Sequence, residues 1–194
     1  IFTNQLQAKG VKVLERHYTN DKATDFAAIL TSVKRVNPDL IFYGGMDAQA
    51  GPMLRQMKQL GIKATLIGGD GICTAELMRL GGDNVGSNVL CAEGGMALSK
   101  MPGGPAFEKR YKTQFKRDIQ VYAPFVYDAV MTMGMAMKNA KSADPKKYLP
   151  KLKDIRHEGV IGTIAFDNAG DVLNAPVTLN SYNAQGKFPV KVVN

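Results

Sequence analysis

Asp39-Leu40-Ile41-Phe42-Tyr43-Gly44-Gly45-Met46-Asp47 is the stretch on which the fold turns. Four apolar residues in succession suit a strand buried on both faces, and the glycines that follow end it before a helix opens at Met46. That helix reads to Leu60, with Met53, Leu54, Met57 and Leu60 on one face, and Gly61 is placed to end it in a left-handed conformation. Ala64 to Ile67 is the next strand, and it too runs into glycines, Gly68-Gly69-Asp70-Gly71. Strand, helix, strand at this spacing is a βαβ unit, which dictates a parallel sheet and an α/β fold.

Upstream, Val11 to Tyr18 has strand composition, and Thr24 is positioned to cap a helix carrying Phe26, Ile29, Leu30, Val33 and Val36. Ile1 to Lys9 reads as the body of a helix, with Ile1, Phe2 and Leu6 on one face and Gly10 as its stop. A chain that opens inside a helix is expected to be part of a longer one. Downstream, a short helix from Thr74 to Leu80 and a strand from Asn88 to Ala92 continue the alternation.

The rhythm then breaks. Gly94-Gly95 and Met101-Pro102-Gly103-Gly104 mark a crossing, after which Pro105, Pro124 and Pro145 each open a helix. In the second of these, Val126, Ala129, Val130, Met133 and Met137 are expected to face inward, and its run of alternate methionines reads as packing rather than copper binding. Three successive helices need a sheet to cover, and this segment does not supply it. The end is strand-like: Gly159 to Phe166, a turn at Asp167-Asn168-Ala169-Gly170, and a hairpin of Val177 to Tyr182 with Phe188 to Val193.

Composition narrows the function. The chain has 194 residues, 45% hydrophobic and 22% charged, as in an ordinary globular protein. Its net charge of +8 is spread over helix faces such as Lys109/Arg110/Lys112 and Lys151/Lys153 without interleaved aromatics, which argues against nucleic acid. No apolar run is long enough for membrane insertion. Two histidines, His17 and His157, lie far apart, so neither a histidine triad nor a metal site is expected, and no cofactor fingerprint or hydrolase elbow is present. Cys73 and Cys91 leave two readings open, a single disulfide or two buried thiols.

Ligands of open α/β sheets bind beyond the carboxyl ends of the strands, which directs attention to the two glycine-framed ends. Asp70, between Gly69 and Gly71, is either a turn residue or a carboxylate held out to a cationic group such as an α-ammonium.

Several motifs, taken in order, resemble the substrate-binding proteins of branched-chain amino-acid ABC transporters, the leucine/isoleucine/valine type of type I periplasmic binding protein. They are Asp39 to Gly45, Gly51-Pro52-Met53-Leu54-Arg55-Gln56, Leu60-Gly61-Ile62, Gly68 to Gly71, Tyr122 to Val130 and Gly162 to Asp171. The resemblance implies two α/β lobes that close on an amino acid. Residues 1–92 would belong to the second lobe, 93–172 would complete the first with its N-terminal part missing, and 173–194 would return to the second.

On this resemblance Asp70 is the ammonium ligand, although many relatives carry Glu there. Gly71 is a backbone contact, Met46 stands where relatives often place an aromatic, Asp47 lines the pocket and Tyr122 lines the side-chain pocket. The resemblance also favours a disulfide between Cys73 and Cys91. It implies a periplasmic protein with a signal peptide in its precursor, an ABC permease as partner, no enzymatic activity and a monomeric state at full length. The alternatives are a ligand-sensing regulatory domain of the same fold, a receptor for an amide, urea or aromatic acid, and an α/β enzyme.

Overall fold

The structure, a computed structural model, describes residues 2–193. The chain divides into two compact units: one runs to Glu93 and resumes over Leu179–Lys191, and the other comprises Gly94–Thr178 and takes up the chain again at Val192.

The first unit is the α/β layer. Its helices are α1 (Phe2–Ala8), α2 (Ala27–Val36), α3 (Asp47–Gln59) and α4 (Ala75–Gly81), and its strands β1 (Leu40–Tyr43), β2 (Thr65–Gly68) and β3 (Val89–Gly94) alternate with them. Two late strands, β6 (Val177–Asn183) and β7 (Gly186–Val193), complete a five-stranded sheet in the order β1-β2-β3-β6-β7. β1 pairs in parallel with β2, and β2 in parallel with β3, as the βαβ spacing predicts. β6 and β7 are joined across two residues, where the Gln185 N–H donates to Asn183 Oδ1, the hairpin expected there.

Phe26, Leu30, Leu54, Met57, Leu66, Ile72, Leu77, Val89 and Tyr182 form one buried cluster between sheet and helices. Burial of each large side chain contributes about 2 kcal/mol. At Gly51 an added Cβ would stand 2.5 Å from the Leu80 Cβ and 3.0 Å from the Leu80 carbonyl carbon, so α3 and α4 pack tightly there.

Several expectations give way. Val11 to Tyr18 forms no strand: Val11, Leu14 and Tyr18 are exposed, and β1, the nearest strand in sequence, bonds to β2 alone. Strand-favouring residues stay extended coil when no ladder takes up their backbone groups. Leu40 and Phe42 on β1 are each 45% exposed, so that strand is covered on one face and not on both. Thr24 does not cap α2. The Asp25 carboxylate accepts the Ala27 N–H, Gln56 Oε1 accepts the Phe26 N–H, and Gln56 Nε2 binds the Thr24 carbonyl instead. Ile1, and the side chain of Phe2 in the expected first-helix face, lie outside the described residues.

The second unit holds α5 (Gly104–Phe115), α6 (Ala123–Ala140), α7 (Pro145–Lys153) and the two-residue strands β4 (His157–Glu158) and β5 (Thr163–Ile164), which pair antiparallel. The expected strand from Gly159 to Phe166 is broken by this hairpin. The inward row of α6 is Pro124, Asp128, Thr132 and Ala136, whereas Val126, Val130 and Met133 are exposed. Both rows have helical spacing. The row with Asp128 is chosen because its carboxylate accepts the Val160 N–H at 2.9 Å and the Ile161 N–H at 2.8 Å, which offsets the cost of burying it. The turn at Asp167 forms as expected, its Oδ1 accepting the N–H groups of Ala169 and Asp171.

Candidate functional site

The parallel register sets Tyr43 opposite Gly68 and Gly68 opposite Cys91, so β1 and β2 end at one level of the sheet, beside Cys91 of β3. The loop after β1 therefore lies beside the loop after β2. Their approach is close: a Cβ on Gly71 would stand 2.6 Å from Met46 Sδ and 2.7 Å from the Gly45 carbonyl oxygen. Any larger residue at 71 would push the two loops apart.

Met46, Asp47, Asp70 and Gly71 are brought together at this edge. Met46 precedes α3 and is 53% exposed, Asp47 opens its first turn, and Asp70 begins a 3-10 turn (Asp70–Ile72) with its residue exposed and Gly71 buried behind it. Tyr122, at the start of α6, is exposed and belongs to the other unit. Asp47 is engaged within the fold. Its Oδ2 accepts the Thr74 hydroxyl at 2.6 Å, while the same hydroxyl oxygen accepts the Leu77 N–H and caps α4.

Cys73 and Cys91 are bonded to each other, linking the loop after β2 to β3 itself. Beside them Lys187 Nζ donates to the Cys73 carbonyl at 3.0 Å and pairs with the Glu93 carboxylate. Tyr182 is 1% exposed and donates to the Ile72 carbonyl at 2.6 Å. Burial pushes its phenol well above the ordinary tyrosine range, with the Glu93 and Asp47 carboxylates adding to the effect. Burial also raises Tyr43, against a backbone hydrogen bond at Met46. Thr74, Tyr182, Lys187 and Glu93 had no signal as site residues in the sequence, because Thr74 and Asp47 are 27 positions apart and Tyr182 lies 110 from Ile72.

This arrangement offers a carboxylate and glycine backbone at a strand edge, which suits recognition of a small cationic group. Among the described residues no group of His, Cys, Asp and Glu is placed to hold a metal, and no helix is long and apolar enough to cross a membrane. His17 pairs with Glu15 on the surface, and His157 lines a cavity of about 340 Å³ in the second unit with Arg110, Tyr127 and Glu158.

A family model described as periplasmic binding protein matches residues 2–187. The chain belongs to the periplasmic binding protein family. It is 26% identical, over 90% of its length and 46% of the relative's, to the leucine-, isoleucine-, valine-, threonine- and alanine-binding protein of Pseudomonas aeruginosa. It is 27% identical to the leucine-specific-binding protein of Salmonella typhimurium, over 86% of this chain and 44% of that one. The chain thus spans under half the length of these curated relatives. Among solved structures, the leucine-binding protein LivK of Thermotoga maritima superposes with a TM-score of 0.89 at 26% identity, over all of this chain and 55% of that one. LivJ of Streptococcus pneumoniae, in complex with isoleucine, gives 0.76 at 25% identity, over 90% of this chain and 50% of that one. The curated relatives are named as binding proteins, and LivJ as the substrate binding protein of a branched-chain amino acid transporter.

Proposed function

We propose that the protein is an extracytoplasmic, periplasmic receptor that binds a small amino acid, branched-chain or related, and delivers it to the permease of an ABC transporter. The observation that carries this reading is the exposed Asp70 at the carboxyl edge of β2, set beside Gly71 and Met46 in a chain whose relatives are named for leucine, isoleucine and valine. Asp70 accepts hydrogen bonds from the ligand's α-ammonium, Gly71 offers backbone, and Met46 lies over the ligand. Asp47 lines the pocket through its link to Thr74. The unit ending at Glu93 serves as the second lobe, and Gly94–Thr178, which carries Tyr122, completes the first; ligand binding shifts the population toward the form the permease accepts.

Calorimetry of the intact protein with leucine, isoleucine, valine, alanine and phenylalanine tests it. Micromolar or tighter binding of at least one, lost in Asp70→Ala, is the expected result. Failure of all five would overturn the amino-acid reading, and unchanged affinity in Asp70→Ala would remove Asp70 from the site.

A further inference from the structure

The loop that carries Asp70 is held from behind by groups the binding reading does not use. Three successive carbonyls after Gly71, those of Ile72, Cys73 and Thr74, are all taken by side chains of β6 and β7. Tyr182 Oη donates to Ile72 O at 2.6 Å and lies 3.3 Å from Thr74 O, and Lys187 Nζ donates to Cys73 O at 3.0 Å. Lys187 is itself steadied by Glu93, the two side chains being only 22% and 14% exposed.

The connection to Asp70 is direct. The peptide whose carbonyl Tyr182 grips, Ile72 to Cys73, presents its N–H on the opposite side, and that N–H donates to the Asp70 carbonyl at 2.9 Å. One rigid peptide plane therefore joins the Tyr182 hydroxyl to the Asp70 backbone. A shift of that plane would strain its hydrogen bond to the Asp70 carbonyl. A buried tyrosine hydroxyl and a nearly buried lysine are costly ways to fill a sheet edge, and apolar residues of the same volume would pack there at less desolvation cost. Their placement is explained by what they hold.

We propose that Tyr182 is a positioning residue for ligand binding, acting through the Ile72–Cys73 peptide to aim the Asp70 carboxylate, with the Lys187–Glu93 pair fixing the next peptide. The inference rests on Asp70 as the ammonium acceptor. It makes the affinity of the edge depend on β6 and β7, elements that offer no side chain to the ligand in the site as described.

A double-mutant cycle in the intact protein separates positioning from general stability. Leucine is the probe, read by calorimetry and, for weak variants, by ligand-observed NMR. Tyr182→Phe is expected to weaken leucine binding about tenfold, the size of one lost hydrogen bond. In an Asp70→Asn background the same substitution is expected to change the residual affinity less than twofold, because the carboxylate it aims is gone. Should Tyr182→Phe not fold, Lys187→Met is expected to weaken binding and Lys187→Arg to restore it.

Equal losses in both backgrounds would overturn positioning, as would leucine affinity within twofold of the parent in Tyr182→Phe and Lys187→Met while Asp70→Asn binds poorly. That last pattern leaves the binding site standing. An Asp70→Asn protein that binds leucine as tightly as the parent would overturn the site itself, and the positioning role with it.

Discussion

The Thr74 hydroxyl donates to Asp47 Oδ2 across 2.6 Å, joining the first residue before α4 to the first turn of α3. The same oxygen accepts the Leu77 N–H at 3.1 Å, so one side chain both caps a helix and ties two strand-end loops together. Thr74→Ala removes both bonds and is expected to destabilise the fold by about 1–2 kcal/mol in urea unfolding, whereas Thr74→Ser retains most of that.

Asp128 supports the second unit in a comparable way. It is 1% exposed and accepts two backbone N–H groups from the β4–β5 turn. Asp128→Ala strands both donors and is expected to cost about 3 kcal/mol, measured by the denaturant midpoint. Gly159→Ala is expected to destabilise the same turn, since its new methyl would meet the Asp128 carboxylate.

The disulfide closes a short loop, Cys73 and Cys91 being 18 positions apart in sequence. Constraint of the unfolded chain by a loop of this size contributes about 3 kcal/mol. Unfolding with and without a thiol reductant is expected to show that difference, and Cys73→Ala with Cys91→Ala should abolish the effect of the reductant.

Alkaline pH gives a further test. The folded Tyr182 phenol has its pKa raised from the ordinary value of 10.0, chiefly by burial. The folded state therefore keeps a proton that the unfolded chain has released. The stability this contributes is present below the unfolded value and is lost as pH rises through and above it. The urea midpoint is expected to fall between about pH 9 and about pH 11, and to fall less steeply in Tyr182→Phe. A residual slope is expected from Tyr43, which burial also raises.

Much of the first unit is legible locally. Leu40 to Tyr43, the face of Met53, Leu54 and Met57, and the stop at Gly61 follow from period and turn chemistry, and each forms within a residue or two of its expected place. The face of α6 is not legible. A hydropathy pattern ranks Val126 and Val130 above Asp128 and Thr132, and nothing nearby announces that Val160 and Ile161 will supply the donors that make Asp128 the buried residue. Val11 to Tyr18 fails for the same reason, since strand formation needs a partner and the pattern records only propensity.

By itself the sequence determined the βαβ alternation, the glycine-framed strand ends with Asp70 at one of them, and the ordered motifs of a periplasmic binding protein. These depend on neighbours a few positions apart, where the backbone geometry of helix, strand and turn is decided. Only the tertiary structure decided that Gly71 would close on Gly45, that Thr74 would bind Asp47, and that Tyr182 and Lys187 would reach the carbonyls behind Asp70. Those relations join residues tens of positions apart, and they exist because the parallel register and the late return of β6 and β7 bring distant segments to one edge of the sheet.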